Sequence, residues 1–180
     1  MARPRLTGVL LVGGASTRFG SPKALSRFGD ETLAERAWRV LGEACDERLA
    51  VGKRADGLEL PFAVADDGTE ARAALAGIVA GLRAAPTDLV VVLPVDMPLV
   101  TATSLRDLAE ACGDAAAPHG APLPAAFRRS ALPVLERRLA AGELALRAAL
   151  GELDTGEVHI SPELLVNVNT VDELQLRNLR

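Results

Sequence analysis

Short, uninterrupted runs of apolar residues mark the strands of this chain. Residues 6–12 (LTGVLLV) and 88–94 (DLVVVLP) are apolar at nearly every position, which is typical of strands covered on both faces of a sheet. The segment 164–168 (LLVNV) predicts a last strand of the same kind. Weaker patterns predict further strands over residues 48–52, 61–65, 115–117 and 123–127.

Between these runs, apolar residues recur at the three- and four-residue spacing of amphipathic helices. Thr32 and Glu35 have the spacing of a capping box, and the apolar series that follows continues to Ala44. The same periodicity predicts helices over residues 70–85, 103–112, 130–141, 144–150 and 171–179.

Two glycines, Gly77 and Gly81, interrupt the helix predicted over residues 70–85. A glycine inside a helix costs about 1 kcal/mol relative to alanine. Helices usually carry such glycines where they pack closely against another element or approach a ligand.

Strands and helices alternate along the whole chain, which predicts an α/β fold with a mostly parallel sheet and helices on both faces. No linker, internal repeat or low-complexity segment is evident, so residues 1–180 are predicted to form a single domain. In such sheets, ligands bind outside the carboxyl ends of the strands. Candidate functional residues are therefore those that follow each strand.

Composition excludes several classes of protein. The net charge of −4 argues against a broad basic surface for nucleic acid, and an aromatic content of 3% argues against base-stacking platforms. No apolar stretch is long enough for a membrane span. Cys45 and Cys112 are far apart and fall in helical patterns, which favours reduced, buried thiols and a cytoplasmic location.

A glycine-rich loop with two cations follows the first strand. It contains Gly13, Gly14, Arg18, Gly20 and Lys23, at spacings that match neither the dinucleotide fingerprint nor the P-loop. Glycines let backbone N–H groups approach an anion, and arginine and lysine suit phosphate oxygens. The residues therefore favour an anion-binding loop and a solvated surface loop about equally.

One aspartate, Asp96, follows the strongest strand, between Pro94 and Pro98. A rigid loop at the ligand edge can aim a carboxylate, and a carboxylate beside phosphates is a suitable Mg²⁺ ligand. The alternative, favoured when this residue is taken alone, is that Asp96 caps the next turn or helix.

Polar residues also follow two other predicted strands. Asn167 and Asn169 would share one face at the end of the last strand, where their amides could contact a ligand, while Thr170 is better interpreted as a helix cap. Asp66 and Asp67 follow the third strand in a sequence that is typical of a polar turn.

Three segments together resemble one enzyme family. The loop LVGGASTRFGSPKAL is similar to the signature loop of the molybdenum cofactor guanylyltransferases, the MobA-like nucleotidyltransferases; PVDMPLV and LLVNVNTVDEL resemble that family's second and third motifs. The resemblance spans nearly the whole chain in the right order. It implies a Rossmann-like three-layer sandwich of the nucleotide-diphospho-sugar transferase type.

The resemblance also implies a reaction. Members of the family transfer GMP from GTP to the terminal phosphate of molybdopterin and release pyrophosphate, with Mg²⁺ as cofactor. GTP and molybdopterin would then be the small-molecule substrates, and a transient protein partner could deliver the pterin. Nucleic acid and membrane are not expected partners.

Carried over position by position, the family's motifs imply roles for particular residues. Lys23, Arg18 and Asp96 would be catalytic, with Asp96 as the metal ligand, and Asn167 and Asn169 would line the acceptor site or the metal's outer shell. The positions expected along the nucleotide are Leu11, Gly13, Gly14, Arg18, Lys23, Asp67 and Asp96, with Asp66 as the alternative to its neighbour.

The identity of the base depends on the opening of the loop. Leu11-Val12-Gly13-Gly14 is nearer the guanylyl branch than the cytidylyl branch, which favours GTP over CTP. The chain departs from the family pattern at Val12, at Phe19 and at Ala73-Ala74, where a Gly-Pro is usual. The alternatives are a cytidylyltransferase or sugar-phosphate nucleotidyltransferase of the same fold, or a non-catalytic nucleotide-binding paralogue.

Overall fold

Seven strands form the central sheet of the protein. The computed structural model describes residues 4–13 and 23–168. Within them the strands of this sheet, in spatial order, are β5 (Val64–Asp66), β4 (Glu47–Gly52), β1 (Leu6–Leu11), β6 (Leu89–Pro94), β8 (Ala125–Arg128), β7 (Ala115–Pro118) and β9 (Thr155–Val158). A separate short hairpin joins β2 (Arg27–Phe28) to β3 (Glu31–Thr32).

The sheet is mostly parallel, as the sequence predicts. Pairing is parallel from β5 through β4 and β1 to β6, and between β7 and β9, whereas β8 runs antiparallel to both of its neighbours. The carboxyl ends of β5, β4, β1 and β6 therefore lie along one edge.

Five α-helices within the described residues cover the two faces of this sheet. They are α1 (Leu33–Ala44), α2 (Ala74–Ala84), α3 (Ala102–Glu110), α4 (Leu132–Ala140) and α5 (Leu146–Leu150). Buried side chains of α1 and α3 belong to one apolar cluster, and those of α2, α4 and α5 belong to another. The three-layer α/β sandwich expected from the sequence is confirmed.

Strands β1 and β6 are almost wholly apolar because each supplies both clusters. In β1, Leu10 packs on the α1 side and Val9 on the α2 side. In β6, Val91 packs on the α1 side and Val92 on the α2 side. This alternation follows from the two-residue period of a strand and explains why the runs show no polar face.

The capping box predicted at Thr32 is present at the start of α1. The Thr32 hydroxyl accepts a hydrogen bond from the backbone N–H of Glu35 at 3.1 Å, and the Glu35 carboxylate accepts one from the backbone N–H of Thr32 at 2.8 Å. The Thr32 hydroxyl also donates to the Glu35 carboxylate at 2.9 Å, and the two hydrogen bonds that this carboxylate accepts from Thr32, from its backbone N–H and its hydroxyl, lower the pKa of the Glu35 carboxyl group.

The two glycines of α2 allow this helix to lie directly on β1. A Cβ atom at Gly77 would lie 2.7 Å from Leu11 Cδ2, and one at Gly81 would lie 2.7 Å from Val9 Cγ1. Real Cβ contacts are longer, so a side chain at either position would push the helix away from the strand. Close packing is therefore one reason why α2 contains glycine.

The sequence prediction of a strand over residues 164–168 is wrong. A 3₁₀ turn occupies Pro162–Leu165, because Pro162 starts the turn and the N–H of Leu164 bonds to the carbonyl of Ser161. Leu164 and Leu165 pack against the apolar cluster on the α1 side, so their hydrophobicity reflects packing rather than strand pairing.

Other boundaries also differ from the prediction. The strand predicted over 61–65 is β5, and the helix predicted over 70–85 begins only at Ala74. Sequence reasoning missed the β2–β3 hairpin and β9. The helix predicted over 171–179 lies outside the described residues.

Neither Cys45 nor Cys112 is in a disulfide, as predicted. Cys112 is buried, and burial raises the pKa of its thiol to about 11, whereas Cys45 is only half-buried. Among the helices that the structure describes, none has the length and apolar character needed to cross a membrane.

The contact between α2 and β1 can be tested by replacing Gly81 with alanine. Helix propensity alone predicts a gain of about 1 kcal/mol in the free energy of unfolding. We expect a loss of about 1–3 kcal/mol instead, because the new Cβ meets the stiff, branched side chain of Val9. Urea denaturation measures the difference.

Gly42→Ala in α1 is the matched control. A Cβ atom at Gly42 would meet the exposed guanidinium of Arg48, which bonds to the Trp38 carbonyl and lies over the Trp38 ring but can shift more easily than a core strand. Gly42→Ala should therefore be less destabilising than Gly81→Ala. A stabilising Gly81→Ala would contradict the close-packing argument.

Candidate active site

Four parallel strands end at one edge of the sheet, and the residues that follow them form the candidate site. Leu11 pairs with Val51 of β4 on one side and with Pro94 of β6 on the other. Beyond the last pairs, the N–H of Val12 bonds to the carbonyl of Val51 at 3.0 Å, and the N–H of Val95 bonds to the carbonyl of Leu11 at 3.0 Å. The segments after β1, β4 and β6 therefore leave the sheet side by side.

These segments enclose a pocket of about 600 Å³. Its lining combines backbone, small apolar side chains and a few charged groups. The residues that line it include Leu11, Val12, Gly13, Lys23, Val51, Gly52, Lys53, Asp67, Arg72, Ala73, Ala74, Gly77, Pro94, Val95, Asp96, Met97, Ala121, Pro122, Leu123, Leu165 and Asn167. This is the composition of a small-molecule site with a small number of orienting polar groups.

An ion pair occupies the part of the pocket next to β1 and β6. Lys23 Nζ donates to Asp96 Oδ2 at 3.2 Å, and the two side chains are 16% and 23% exposed. Both groups remain partly accessible from the pocket. A ligand oxygen could therefore contact the ammonium group, and a cation could contact the carboxylate.

The backbone around Asp96 is held on several sides. The N–H of Met97 bonds to the carbonyl of Pro94 at 3.3 Å, and the carbonyl of Asp96 accepts from the N–H of Val168 at 2.8 Å. Helix α3 is capped by Thr101, whose hydroxyl accepts from the N–H of Ser104. Asp96 is therefore not the cap of this helix, which was one of the two roles in the alternative interpretation of the sequence.

A second ion pair lies at the other end of the pocket, beyond β4 and β5. Lys53 Nζ lies 2.6 Å from Asp67 Oδ1, and the side chains are 11% and 6% exposed. The same ammonium group donates to the carbonyl of Thr69 and to its hydroxyl at 3.2 Å. The pair is thus more deeply buried than the pair at Lys23 and is tied to the turn that follows β5.

The structure distinguishes Asp66 from Asp67. The Asp66 carboxylate accepts from the backbone N–H groups of Arg54, at 2.7 Å, and Gly68, at 2.8 Å. These bonds lower the pKa of the Asp66 carboxyl group and give it the turn-forming role that the sequence suggested. Asp67 lines the pocket, and Asp66 does not.

Two cations of the pocket were missed from the sequence. Lys53 directly follows β4, so the rule about strand ends could have found it. Arg72 lies in the segment before α2, within the part predicted to be helical, and pairs with Asp56 at 3.2 Å. Lys23 and Lys53 are the only lysines of the chain, and both line this pocket.

The predicted site residues fall into two groups. Six of them line the pocket: Leu11, Gly13, Lys23, Asp67, Asp96 and Asn167. Asn167 lines the pocket from an irregular segment and not from a strand. The prediction that it shares one face of a strand with Asn169 therefore does not apply. The others, Gly14, Arg18 and Asn169, lie outside the described residues.

Two side chains that line the pocket carry oxygen atoms of the type that Mg²⁺ prefers as ligands. Asp96 supplies a carboxylate and Asn167 an amide oxygen, which are hard ligands. The described residues contain no group of three or more His, Cys, Asp or Glu side chains placed to hold a metal ion. The set suits a Mg²⁺ ion that takes its remaining ligands from substrate phosphates and water.

Comparison with known proteins gives consistent results. Residues 8–157 match the family model of the MobA-like NTP transferase domain. A probable molybdenum cofactor guanylyltransferase of Chloroflexus aggregans is 35% identical over 194 residues, covering 95% of this chain and 92% of that protein. A similarly named protein of Opitutus terrae is 40% identical over 112 residues, covering 59% of this chain and 55% of that protein.

Solved structures share the fold. Molybdopterin-guanine dinucleotide biosynthesis protein A of Archaeoglobus fulgidus superposes with a TM-score of 0.81 at 26% identity, covering 96% of this chain and 97% of that one. A 2-C-methyl-D-erythritol 4-phosphate cytidylyltransferase of Thermus thermophilus has a TM-score of 0.74 at 21% identity, with 95% and 96% coverage, which reflects the fold alone. The resemblance found in the sequence motifs is confirmed, and the chain belongs to the MobA-like NTP transferase family.

Proposed function

We propose that this protein transfers GMP from GTP to the terminal phosphate of molybdopterin and releases pyrophosphate. The observation that carries the proposal is the pocket at the carboxyl ends of β1, β4, β5 and β6, with Lys23 and Asp96 exposed to it. The names of the relatives from Chloroflexus aggregans and Opitutus terrae support the choice of GTP and of the molybdenum cofactor.

Charge favours one orientation of the nucleotide. Phosphates would lie against Lys23, with Arg18 as a further cation in the glycine loop, and the nucleoside would point towards Asp67. The reverse orientation would bring phosphate oxygens against the Asp67 carboxylate, whose cationic partner Lys53 already contacts three acceptors. Leu11, Gly13 and Gly14 would then lie along the nucleotide between the two ends.

The proposed nucleophile needs no general base. A terminal phosphate monoester is largely ionised at neutral pH, and no histidine is found among the described residues that line the pocket. The barrier instead comes from bringing one anion to another. Lys23 and Arg18 would lower it by neutralising the triphosphate and the departing pyrophosphate.

A Mg²⁺ ion would be held by Asp96, with Asn167 as a further oxygen donor. When bound, it would supply positive charge at the phosphates undergoing transfer. Two observations support this role for Asp96: bonds to neighbouring segments fix its backbone, and its side chain lines the pocket. Asn169 is proposed for the same region, as part of the acceptor site or the metal's outer shell.

The acceptor would enter beside β6 and β8. The lining there is largely apolar and includes Met97, Pro122, Leu123 and Leu165, which suits the face of a planar pterin. Asn167 adds an amide to this side. The acceptor site would open at the carboxyl ends of the strands, where a transient protein partner could deliver the pterin.

The proposal predicts selective binding of GTP. Calorimetric titration with GTP, CTP, ATP and UTP, each with and without Mg²⁺, should give the tightest binding for GTP with Mg²⁺. Pyrophosphate release from GTP should then require molybdopterin. A preference for CTP would assign the chain to the cytidylyl alternative, and failure to bind any nucleotide would contradict the enzyme assignment.

Replacement of Lys23 tests the phosphate end of the pocket. We expect Lys23→Met to reduce turnover by a factor on the order of 10² or more, as removal of a transition-state donor does. Arg83→Met is the control, since Arg83 of α2 forms an exposed ion pair with Glu136 of α4. Near-normal turnover of Lys23→Met would remove Lys23 from the mechanism.

Replacement of Asp96 tests the metal site. Asp96→Asn should abolish the effect of Mg²⁺ on GTP affinity and reduce turnover, because the ion loses its charged protein ligand. Asp88→Asn is the matched control: Asp88 lies at the opposite end of β6, where it pairs with Arg128 at 3.4 Å and is mostly exposed. If Mg²⁺ still strengthens GTP binding to Asp96→Asn, the metal lies elsewhere.

A further inference from the structure

We infer that Lys53 is a positioning residue for the nucleoside end of the pocket: it fixes Asp67 so that one carboxylate oxygen is presented to the ligand. The inference rests on the proposed function, in that GTP is taken as the ligand. It adds a role for Lys53 that neither the sequence motifs nor the proposed mechanism contains.

The donors of Lys53 are fully used inside the protein. An ammonium group carries three N–H bonds. The structure gives Nζ three acceptors, namely Asp67 Oδ1 at 2.6 Å, the Thr69 carbonyl and the Thr69 hydroxyl at 3.2 Å. Lys53 therefore has no donor left for a phosphate or a base, although it lines the pocket, and it must act through Asp67.

The two oxygens of Asp67 are in different situations. Oδ1 accepts from Lys53, from the Thr69 N–H at 3.0 Å and from the Thr69 hydroxyl at 3.2 Å. Among the described residues, Oδ2 has no hydrogen-bond partner. Oδ2 is not fully enclosed: the carboxylate is 6% exposed and Asp67 lines the pocket, so this oxygen is accessible to a donor there. The side chain is therefore arranged to receive a donor from a ligand in the pocket.

Geometry places this oxygen at the nucleoside end. Asp67 follows β5 and Asp96 follows β6, three strand positions away in the sheet. At the usual strand spacing this is about 14 Å, so the two aspartates stand at opposite ends of the pocket. With phosphates at Lys23, the donor to Asp67 Oδ2 is a ribose hydroxyl or an N–H of guanine.

Lys53→Met provides the test, with two ligands measured by calorimetry. GTP reaches both ends of the pocket, whereas inorganic triphosphate reaches only the phosphate end. We expect Lys53→Met to raise the Kd of GTP by about tenfold to a hundredfold, the effect of losing a hydrogen bond to a charged group. The Kd of triphosphate should stay within about twofold of its wild-type value, a much smaller change than that expected for GTP.

Arg54→Met is the matched control, because it removes the same charge from the next residue while its exposed side chain lies outside the pocket lining. Thr69→Val is the second variant. It keeps every charge but removes the hydroxyl that contacts both Lys53 and Asp67, and it should raise the Kd of GTP by a smaller factor. It serves in place of Lys53→Met if that variant does not fold.

The outcomes separate the possible roles. If Lys53→Met weakens the binding of GTP and of triphosphate equally, Lys53 has a merely structural or phosphate-binding role and the inference is overturned. Unchanged binding of GTP would overturn it as well. Failure of the wild-type protein to bind GTP would instead overturn the proposed function. The same comparison with 2′,3′-dideoxy-GTP identifies the donor. If Lys53→Met no longer raises the Kd, the donor is a ribose hydroxyl; if it still raises the Kd, the donor is an N–H of guanine.

Discussion

The parallel pairing of β4, β1 and β6 is the constraint on which the site depends. Leu11 is paired on both sides, and the hydrogen bonds of Val12 and Val95 extend the ladder past the ends of the strands. Because the three strands run in one direction, the segments that follow them emerge together. Residues as distant in the chain as Lys53 and Asp96 thereby line one pocket.

The centre of the fold could be predicted because two-sided burial leaves a clear pattern. β1 and β6 are covered on both faces, so their sequences are almost wholly apolar, and the polar Thr7 is buried with its hydroxyl bonded to that of Thr87 at 2.7 Å. The periphery leaves no such pattern. β9 is an edge strand with the sequence TGEV, and residues 164–168 are apolar because two of them pack on the core from an irregular segment.

The candidate site was predictable to the extent that it follows from strand positions. Asp96 and Asp67 were singled out because they follow predicted strands, but their roles in a site were implied only by the resemblance of the motifs to the family. Lys53 also follows one, but a single lysine after a weak strand carries no motif, and its significance lies in its contacts with Asp67 and Thr69. Arg72 could not have been found in this way, because its access to the pocket depends on α2 starting only at Ala74.

The choice between lysine and arginine follows from the shape of the site. Only two of the chain's 20 basic residues are lysines, so both pocket positions depart from its strong preference for arginine. At Lys53, three acceptors converge on one nitrogen, which suits the three N–H bonds of a compact ammonium group and not the planar fork of a guanidinium. At Lys23, a point charge beside Asp96 leaves space in the pocket for phosphate oxygens. Arginine would therefore fit neither position, for different reasons. At position 53 the guanidinium would be too large for the turn, and at position 23 it would occupy the space for the ligand.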